Sequence, residues 1–225
     1  KRELLLHVVV QRATGLHSSL GNIGEVENKG CDFTVNTNDL VGTFSWATNF
    51  NISTFKNRVT KLGPEGAPVI SAYNITQIGE PIGMFYGYVT DGVFKNKADL
   101  DAGPIFNPGA SDKSRIGDIR FKDVSGPNGK PGGVINSYDR TIIGSPYPNY
   151  YYGMTNSFAY KNISLSISLQ GSQGNKVYSN SDNFLYTRAR YKQLSAVKNY
   201  WNSESEPGDG ESPRPNNSPT GGLRE

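Results

Sequence analysis

The sequence predicts an all-β fold of antiparallel strands, and three observations carry that prediction. Apolar and polar residues alternate at period two in several segments, most cleanly in Ile163-Ser-Leu-Ser-Ile-Ser-Leu-Gln170. No window of helical length keeps apolar positions at i, i+3, i+4 and i+7 without an early Gly or Pro, except Asp182 to Trp201, where a short amphipathic helix is expected. The 225 residues also include 26 Gly and 13 Pro, with aromatic residues at 11%, a mix suited to strands joined by turns and long loops.

Taken in chain order, the first apolar stretch, Leu4 to Val10, is broken by His7 and is far shorter than the ~20 residues of a membrane-spanning helix. Asp32 to Asn38 alternates Phe33, Val35 and Thr37 with polar partners. Thr43 to Phe55 alternates Phe44, Trp46, Thr48, Phe50 and Ile52 with Ser45, Ala47, Asn49, Asn51 and Ser53. Asp39-Leu-Val-Gly42 joins them as a turn. Further on, Tyr151 to Tyr160 is separated from Ile163 by only Lys161-Asn162, the length of a two-residue hairpin with Asn162 able to take positive φ. That register pairs Tyr160 with Ile163, Phe158 with Leu165, Asn156 with Ile167 and Met154 with Leu169. Strands are therefore expected mainly within 4–62 and 150–170, with long loops over 63–149 and 171–225.

Alternation alone fits both a sandwich, whose apolar face meets a core, and a membrane barrel, whose apolar face meets lipid. The second face separates them. Soluble sheets cover it with Lys, Glu and Arg, whereas here it carries Ser, Thr, Asn, Gln and Gly, as a polar lumen would. Tyr152 and Tyr160 also fall at opposite ends of the apolar face, ~26 Å apart at ~3.3 Å per residue, near the ~25 Å of an apolar band between aromatic girdles. Asn156 in the middle of that band runs against the pattern.

Composition excludes several classes of function. With 23 Lys and Arg against 20 Asp and Glu the net charge is +3, which gives no reason to expect nucleic acid. Cys31 stands alone, so no intrachain disulfide forms, and with only His7 and His17 there is no Cys/His zinc set. Asp91, Asp99, Asp101, Asp112 and Asp118 lie in expected loop with nothing to fix a pair at glycosidase spacing, and no nucleophile elbow or phosphate-binding loop occurs. The sequence points away from an enzyme and offers no catalytic residue.

Two segments are candidates for binding. Phe85, Tyr86 and Tyr88, with Asp91 close behind, place aromatic rings on a Gly-bracketed loop, a natural platform for sugar rings or peptide side chains. The competing reading is an aromatic anchor for the loop. The stretch Asp123-Val-Ser-Gly-Pro-Asn-Gly-Lys-Pro-Gly-Gly-Val-Ile-Asn-Ser-Tyr-Asp139 gathers oxygen-bearing side chains on Gly-rich turns, so Asp123, Ser125, Asn128 and Asp139 are candidate calcium ligands. An Asx-rich turn braced by its own backbone is the alternative there. No other cofactor is expected.

Three ordered motifs carry a resemblance: Gly79-Glu-Pro-Ile-Gly-Met-Phe-Tyr-Gly-Tyr-Val-Thr-Asp-Gly-Val-Phe94, Gly117-Asp-Ile-Arg-Phe-Lys-Asp-Val124, and Val134-Ile-Asn-Ser-Tyr-Asp-Arg-Thr-Ile-Ile-Gly-Ser-Pro-Tyr-Pro148. Asn22 to Gly30, Trp46 to Ser53, Asn57-Arg-Val59 and Gln170 to Asn175 agree with them. Together they resemble the SusC/RagA family of TonB-dependent outer-membrane transporters, over Leu4 to about Pro215. The resemblance implies part of a 22-stranded transmembrane β-barrel, an antiparallel meander of which this chain would hold about six strands with long extracellular loops. It also implies active import of glycans or peptides, a SusD-like surface lipoprotein, and TonB acting through a plug domain. The expected site is the outer membrane of a Gram-negative, Bacteroidota-like cell, with lipid around the barrel. No plug segment is recognisable, so the chain is expected to be an internal piece of the barrel's second half. The alternative is a secreted β-sandwich that binds carbohydrate on Tyr86 and Tyr88.

Overall fold

The computed structural model describes residues 4–9, 18–63, 65–106, 114–179 and 195–214, with the backbone alone described for 4–9, 18–23 and 196–197. In chain order the strands are β1 (Leu4–Val9), β2 (Ser18–Leu40), β3 (Phe44–Leu62), β4 (Val69–Ile70), β5 (Asn74–Thr76), β6 (Met84–Gly87) and β7 (Thr90–Val93). After helix α1 (Lys97–Ala102) come β8 (Ile105–Phe106), β9 (Ile119–Phe121), β10 (Val134–Ile135), β11 (Thr141–Gly144), β12 (Tyr150–Tyr160) and β13 (Ile163–Gln173). The chain divides into two compact units: residues 1–85 with 144–177, and residues 86–143 with 178–225.

The first unit is built on one antiparallel sheet in the order β1-β2-β3-β12-β13. Its register is set by period-two patterning, since a one-residue slip would turn every apolar side chain to the other face. Tyr160 pairs with Ile163, Phe158 with Leu165, Asn156 with Ile167 and Met154 with Leu169, as the sequence predicts. On the other side of β12, Phe158 lies opposite Trp46, Asn156 opposite Thr48 and Met154 opposite Phe50. The sheet continues through Phe50 to Val35 and Ile52 to Phe33.

One face therefore carries Phe33, Val35, Phe44, Trp46, Phe50, Ile52, Met154 and Phe158 together with the apolar side of β13. Its aromatic rings pack on each other, Phe158 lying 5.9 Å from Trp46 and 6.3 Å from Phe44 between ring centres. Asn156 is accommodated by a polar hub within this face. Its Oδ1 accepts the Trp46 indole N–H at 3.0 Å and lies 2.8 Å from the Thr48 hydroxyl, so its carbonyl oxygen is not left bare. At the turn end, a bulge between Asn38 and Leu40 lets the Asp39 carboxylate accept the Thr37 hydroxyl at 2.9 Å and lie 2.6 Å from that of Thr48, whose single proton serves either Asp39 or Asn156.

Three features depart from expectation. β2 begins at Ser18 rather than near Asp32, because Asn22 to Gly30 holds Ile23 and Val26, at positions of opposite parity, among polar and glycine residues and shows no alternation, although Gly24 to Gly30 pairs with β3 across a bulge between Glu25 and Val26. In the 161–162 turn Lys161, not Asn162, takes positive φ, at 52°, the first-position requirement of a II′ turn. The stretch 63–149 also holds the eight short strands β4–β11 and α1, elements of two to six residues that are too brief for a period to show. Of the helix expected over Asp182 to Trp201, residues 182–194 lie outside the described residues, and Ser195–Asn199 is a 3₁₀ turn.

Buried apolar residues of this unit are few. Val59, Leu62, Ile75 and Met84 are buried where the end of β3 meets the small β4-β5-β6 sheet, with Val59 exchanging backbone bonds with Gly79 and Glu80, and the Asn57 side chain accepting the Ile82 N–H. The second unit has its own core of Val93, Phe94, Ile119 and Ile135, formed around the β7-β9 ladder and the parallel β8-β10 pair.

Candidate functional site

The two faces of the large sheet come first, because they decide what surrounds it. Among the described residues no second layer covers the apolar face: Leu165 and Leu169 are each 56% exposed and Ile163 is 73% exposed. Rows of this face run from Phe44 to Thr54, ten residues or ~34 Å at ~3.4 Å each, which a tilt of ~45° reduces to ~24 Å, the height of a bilayer's apolar band. Charge begins immediately beyond, with Lys29 opposite Lys56 and Glu27 opposite Arg58. Tyr152 lies over Gly171, where an added Cβ would come within 2.6 Å of the phenol ring, so the glycine makes room for a ring at the loop end of the band. Cys31, opposite Thr54, is an exposed thiol near the same boundary.

The opposite face is paved with Asn36, Asn49, Asn51, Ser53, Thr155, Ser157, Ser166 and Ser168, and side chains bond across strands from Asn49 to Asn36, from Asn57 to Asn28 and between Thr155 and Ser168. At its loop end stands an aromatic cluster that sequence reasoning did not assign. Phe55 stacks on Tyr151 with centres 6.1 Å apart and planes 5° apart, and Tyr147 meets Phe55 edge-on at 5.9 Å. Tyr151 shares the polar face with Phe55. The signal was present in the parity, since Tyr151 and Tyr152 must point to opposite faces of one strand. Gly30 opposite Phe55 is required there, as a Cβ would sit 3.1 Å from that of Phe55 and 2.6 Å from the Thr54 carbonyl oxygen.

The predicted aromatic platform is distributed rather than gathered. Phe85 lies on β6 opposite Asn74 in the first unit. Within the second unit, the Arg140 guanidinium sits 4.5 Å over the Tyr86 ring and donates to the Tyr86 carbonyl at 3.3 Å. Tyr88 packs against Phe121 and Phe106 at 5.6 and 6.0 Å, and burial pushes its phenol up, outweighing the pull of Arg140. The carboxylate of Asp91 accepts from Arg120 at 2.9 Å.

In the candidate cation loop, Asp139 is fully buried. Its Oδ1 accepts the N–H groups of Val124 and Ser125 at 2.9 and 3.1 Å, and its Oδ2 accepts that of Asn136 at 2.8 Å. Burial pushes this carboxyl up, but those three bonds and a hydrogen bond with Asp123 hold it below the ordinary carboxylate range. Asp123 accepts from Gly132 and Gly133 at 3.3 and 2.5 Å. Asp123, Ser125 and Asp139 are thus brought together around backbone amides, while Asn128 is exposed on the turn closed by the Gly129 N–H to Gly126 carbonyl bond. The same unit is stitched by Arg214 to Asp118 at 2.8 Å and by the Trp201 indole N–H to the Lys95 carbonyl at 3.0 Å, with Trp201 lying over Gly117.

A sheet exposed on an apolar band and on a polar side of Asn, Ser and Thr with the carboxylate Asp32 among them is a piece of the wall of a transmembrane β-barrel. Comparison with known proteins gives the particular kind. No family model matches the chain. It is 30% identical over 218 residues to TonB-dependent receptor P26 of Formosa agariphila, covering 92% of this chain and 21% of that protein. TonB-dependent receptor SusC of Bacteroides thetaiotaomicron is 29% identical over 191 residues, 78% of this chain and 17% of its own length. The RagAB peptide transporter structure matches with a TM-score of 0.69 over 94% of this chain and 23% of that one, at 17% identity, which shows the barrel fold. The chain belongs to the TonB-dependent receptors of the SusC/RagA family and spans about a fifth of the length of the curated relatives it matches.

Proposed function

We propose that the chain is part of the barrel wall and outer loops of an outer-membrane transporter that imports glycans or peptides. The observation that carries this reading is the two-faced sheet, whose apolar band meets lipid and whose Asn/Ser/Thr side lines a solvated passage. Hydrophilic cargo crosses such a passage without having to shed its hydration against apolar walls. Cargo would be held beneath a SusD-like lipoprotein and released inward when TonB displaces a plug in the intact protein. The chain itself supplies walls and contacts, with no chemical step assigned to it. The Phe55–Tyr151–Tyr147 cluster is the contact surface favoured by its position on the passage side.

The test is uptake by cells carrying the full-length receptor, with fluorescent oligosaccharides and peptides as separate probes. Uptake of one probe class, abolished by collapsing the proton-motive force, is expected. Equal uptake by cells lacking the receptor would overturn the reading. Tyr151→Ala should lower cargo affinity about tenfold, corresponding to the ~1.4 kcal/mol within reach of one aromatic contact.

A further inference from the structure

We propose that Lys29, Lys56 and Arg58 form a binding site for an anionic phosphate headgroup of a lipid in the leaflet nearest the loops. The proposal rests on reading the apolar face as lipid-facing. All three residues continue that face, because Lys29 lies two residues beyond Cys31 and four beyond Phe33, while Lys56 and Arg58 follow Ile52 and Thr54 at the same period. All three are exposed.

Lys29 and Lys56 stand directly opposite each other across β2 and β3, an arrangement that repels unless an anion lies between the two ammonium groups. Among the described residues two carboxylates share this end of the face, Glu27 and, further out and opposite Lys61, Glu25. Glu27 binds Lys29 at 2.9 Å and sits opposite Arg58, leaving Lys29, Lys56, Arg58 and Glu27 with two net positive charges, and counting the outer pair leaves the net charge of the patch unchanged. A phosphate monoester carries about one and a half to two negative charges at neutral pH, and the guanidinium fork and ammonium groups are its usual partners. Location selects the source of that phosphate. Below the patch, this face of β2 and β3 holds no charged side chain until Asp39 near the turn, so the cations stand where an apolar band ends and lipid headgroups begin. The opposite margin of the same face carries the carboxylate Asp39 and a cation, Lys161, 5.3 Å over the Tyr160 ring.

The experiment uses the full-length receptor inserted into phosphatidylcholine vesicles with and without phosphatidic acid, then extracted gently and weighed by native mass spectrometry to count retained phosphatidic acid. Lys29→Gln/Lys56→Gln/Arg58→Gln is expected to retain at least fivefold less phosphatidic acid than the unmodified receptor, while Lys161→Gln, at the turn end, retains as much. If the triple variant fails to insert, Lys56→Gln alone should still show at least a twofold loss. Equal retention by the cation variants overturns the proposal, as does displacement of the lipid by millimolar inorganic phosphate, which would mark a general anion patch. Failure of the unmodified receptor to insert into either vesicle would overturn the membrane reading as well, whereas insertion without discrimination strikes this site alone.

Discussion

The two units of the chain are held together by different means. The large sheet relies on long backbone ladders and buries few side chains, and several of its biggest apolar residues point outward. The unit containing residues 86–143 and 195–214 has short ladders and depends on particular polar groups: Asp139 on three amides, Asp209 on the Glu211 and Ser212 amides and the Ser212 hydroxyl, and Arg214 on Asp118. The sheet thus depends on its surroundings for its apolar face, whereas the loop unit carries its own adhesive. Changes that disturb one should leave the other largely intact.

The sharpest break in that comparison is a charge on the apolar face. Leu165→Arg should destabilise the full-length receptor by about 2–4 kcal/mol, while its neighbour Ser166→Arg, on the polar face, should cost about 0.5 kcal/mol or less. Chemical denaturation in lipid vesicles reads the difference, and equal costs would remove the distinction between the faces. Next in size, Asp139→Asn should weaken the loop unit by about 2–3 kcal/mol, since one amide acceptor becomes an amide donor in a buried position. Faster hydrogen exchange at Val124, Ser125 and Asn136, with the sheet amides unchanged, would show it.

That carboxyl also sets a pH dependence. Because Asp139 is held below the ordinary carboxylate range in the folded state, its contribution is complete above that range and is lost as pH falls through the lowered value. Exchange at the same three amides should rise in acid in the unmodified receptor and lose this acid limb in Asp139→Asn. A smaller effect is expected at Gly117, whose φ is +85° and whose added Cβ would come within 2.5 Å of the Trp201 ring. Gly117→Ala should cost about 1–2 kcal/mol, seen as faster exchange at the Trp201 and Arg214 amides. Smallest is Lys161→Gly, which relieves a positive φ and should stabilise the sheet by about 0.5 kcal/mol in the same denaturation assay.

Legibility in the sequence follows the same division. Where a strand has one apolar and one polar face, as in Ile163 to Gln170, alternation gives both existence and register. Where apolar residues are few and do not alternate, as in Asn22 to Gly30, the strand is real but unmarked. The loop unit is harder still, because Asp139 reaches back to Val124 and Ser125, and Trp201 to Lys95, over separations that no local pattern encodes. Of the four residues of the predicted aromatic platform, Tyr86 and Tyr88 share Arg140 as a neighbour, while Phe85 pairs with Asn74 and Asp91 with Arg120. The Phe55–Tyr147–Tyr151 cluster joins residues nearly a hundred positions apart and needed the pairing of β3 with β12 to become visible.

Asn156 has a consequence for how faithfully the wall is assembled. Alternation forbids a one-residue slip between β3 and β12, but a two-residue slip would keep every apolar side chain facing outward and every serine inward. Only the distinct members of the repeat can tell those alignments apart. With the Trp46 indole donating to the Asn156 amide oxygen beside Thr48, the native alignment satisfies both the indole and the amide oxygen, and an alignment displaced by two removes that arrangement in a medium that offers no replacement partner, while Thr48 keeps Asp39. A residue that looks like a flaw in an apolar stripe thereby acts as a proofreading mark, and Asn156→Leu is expected to yield receptor of mixed strand alignment rather than a more stable barrel.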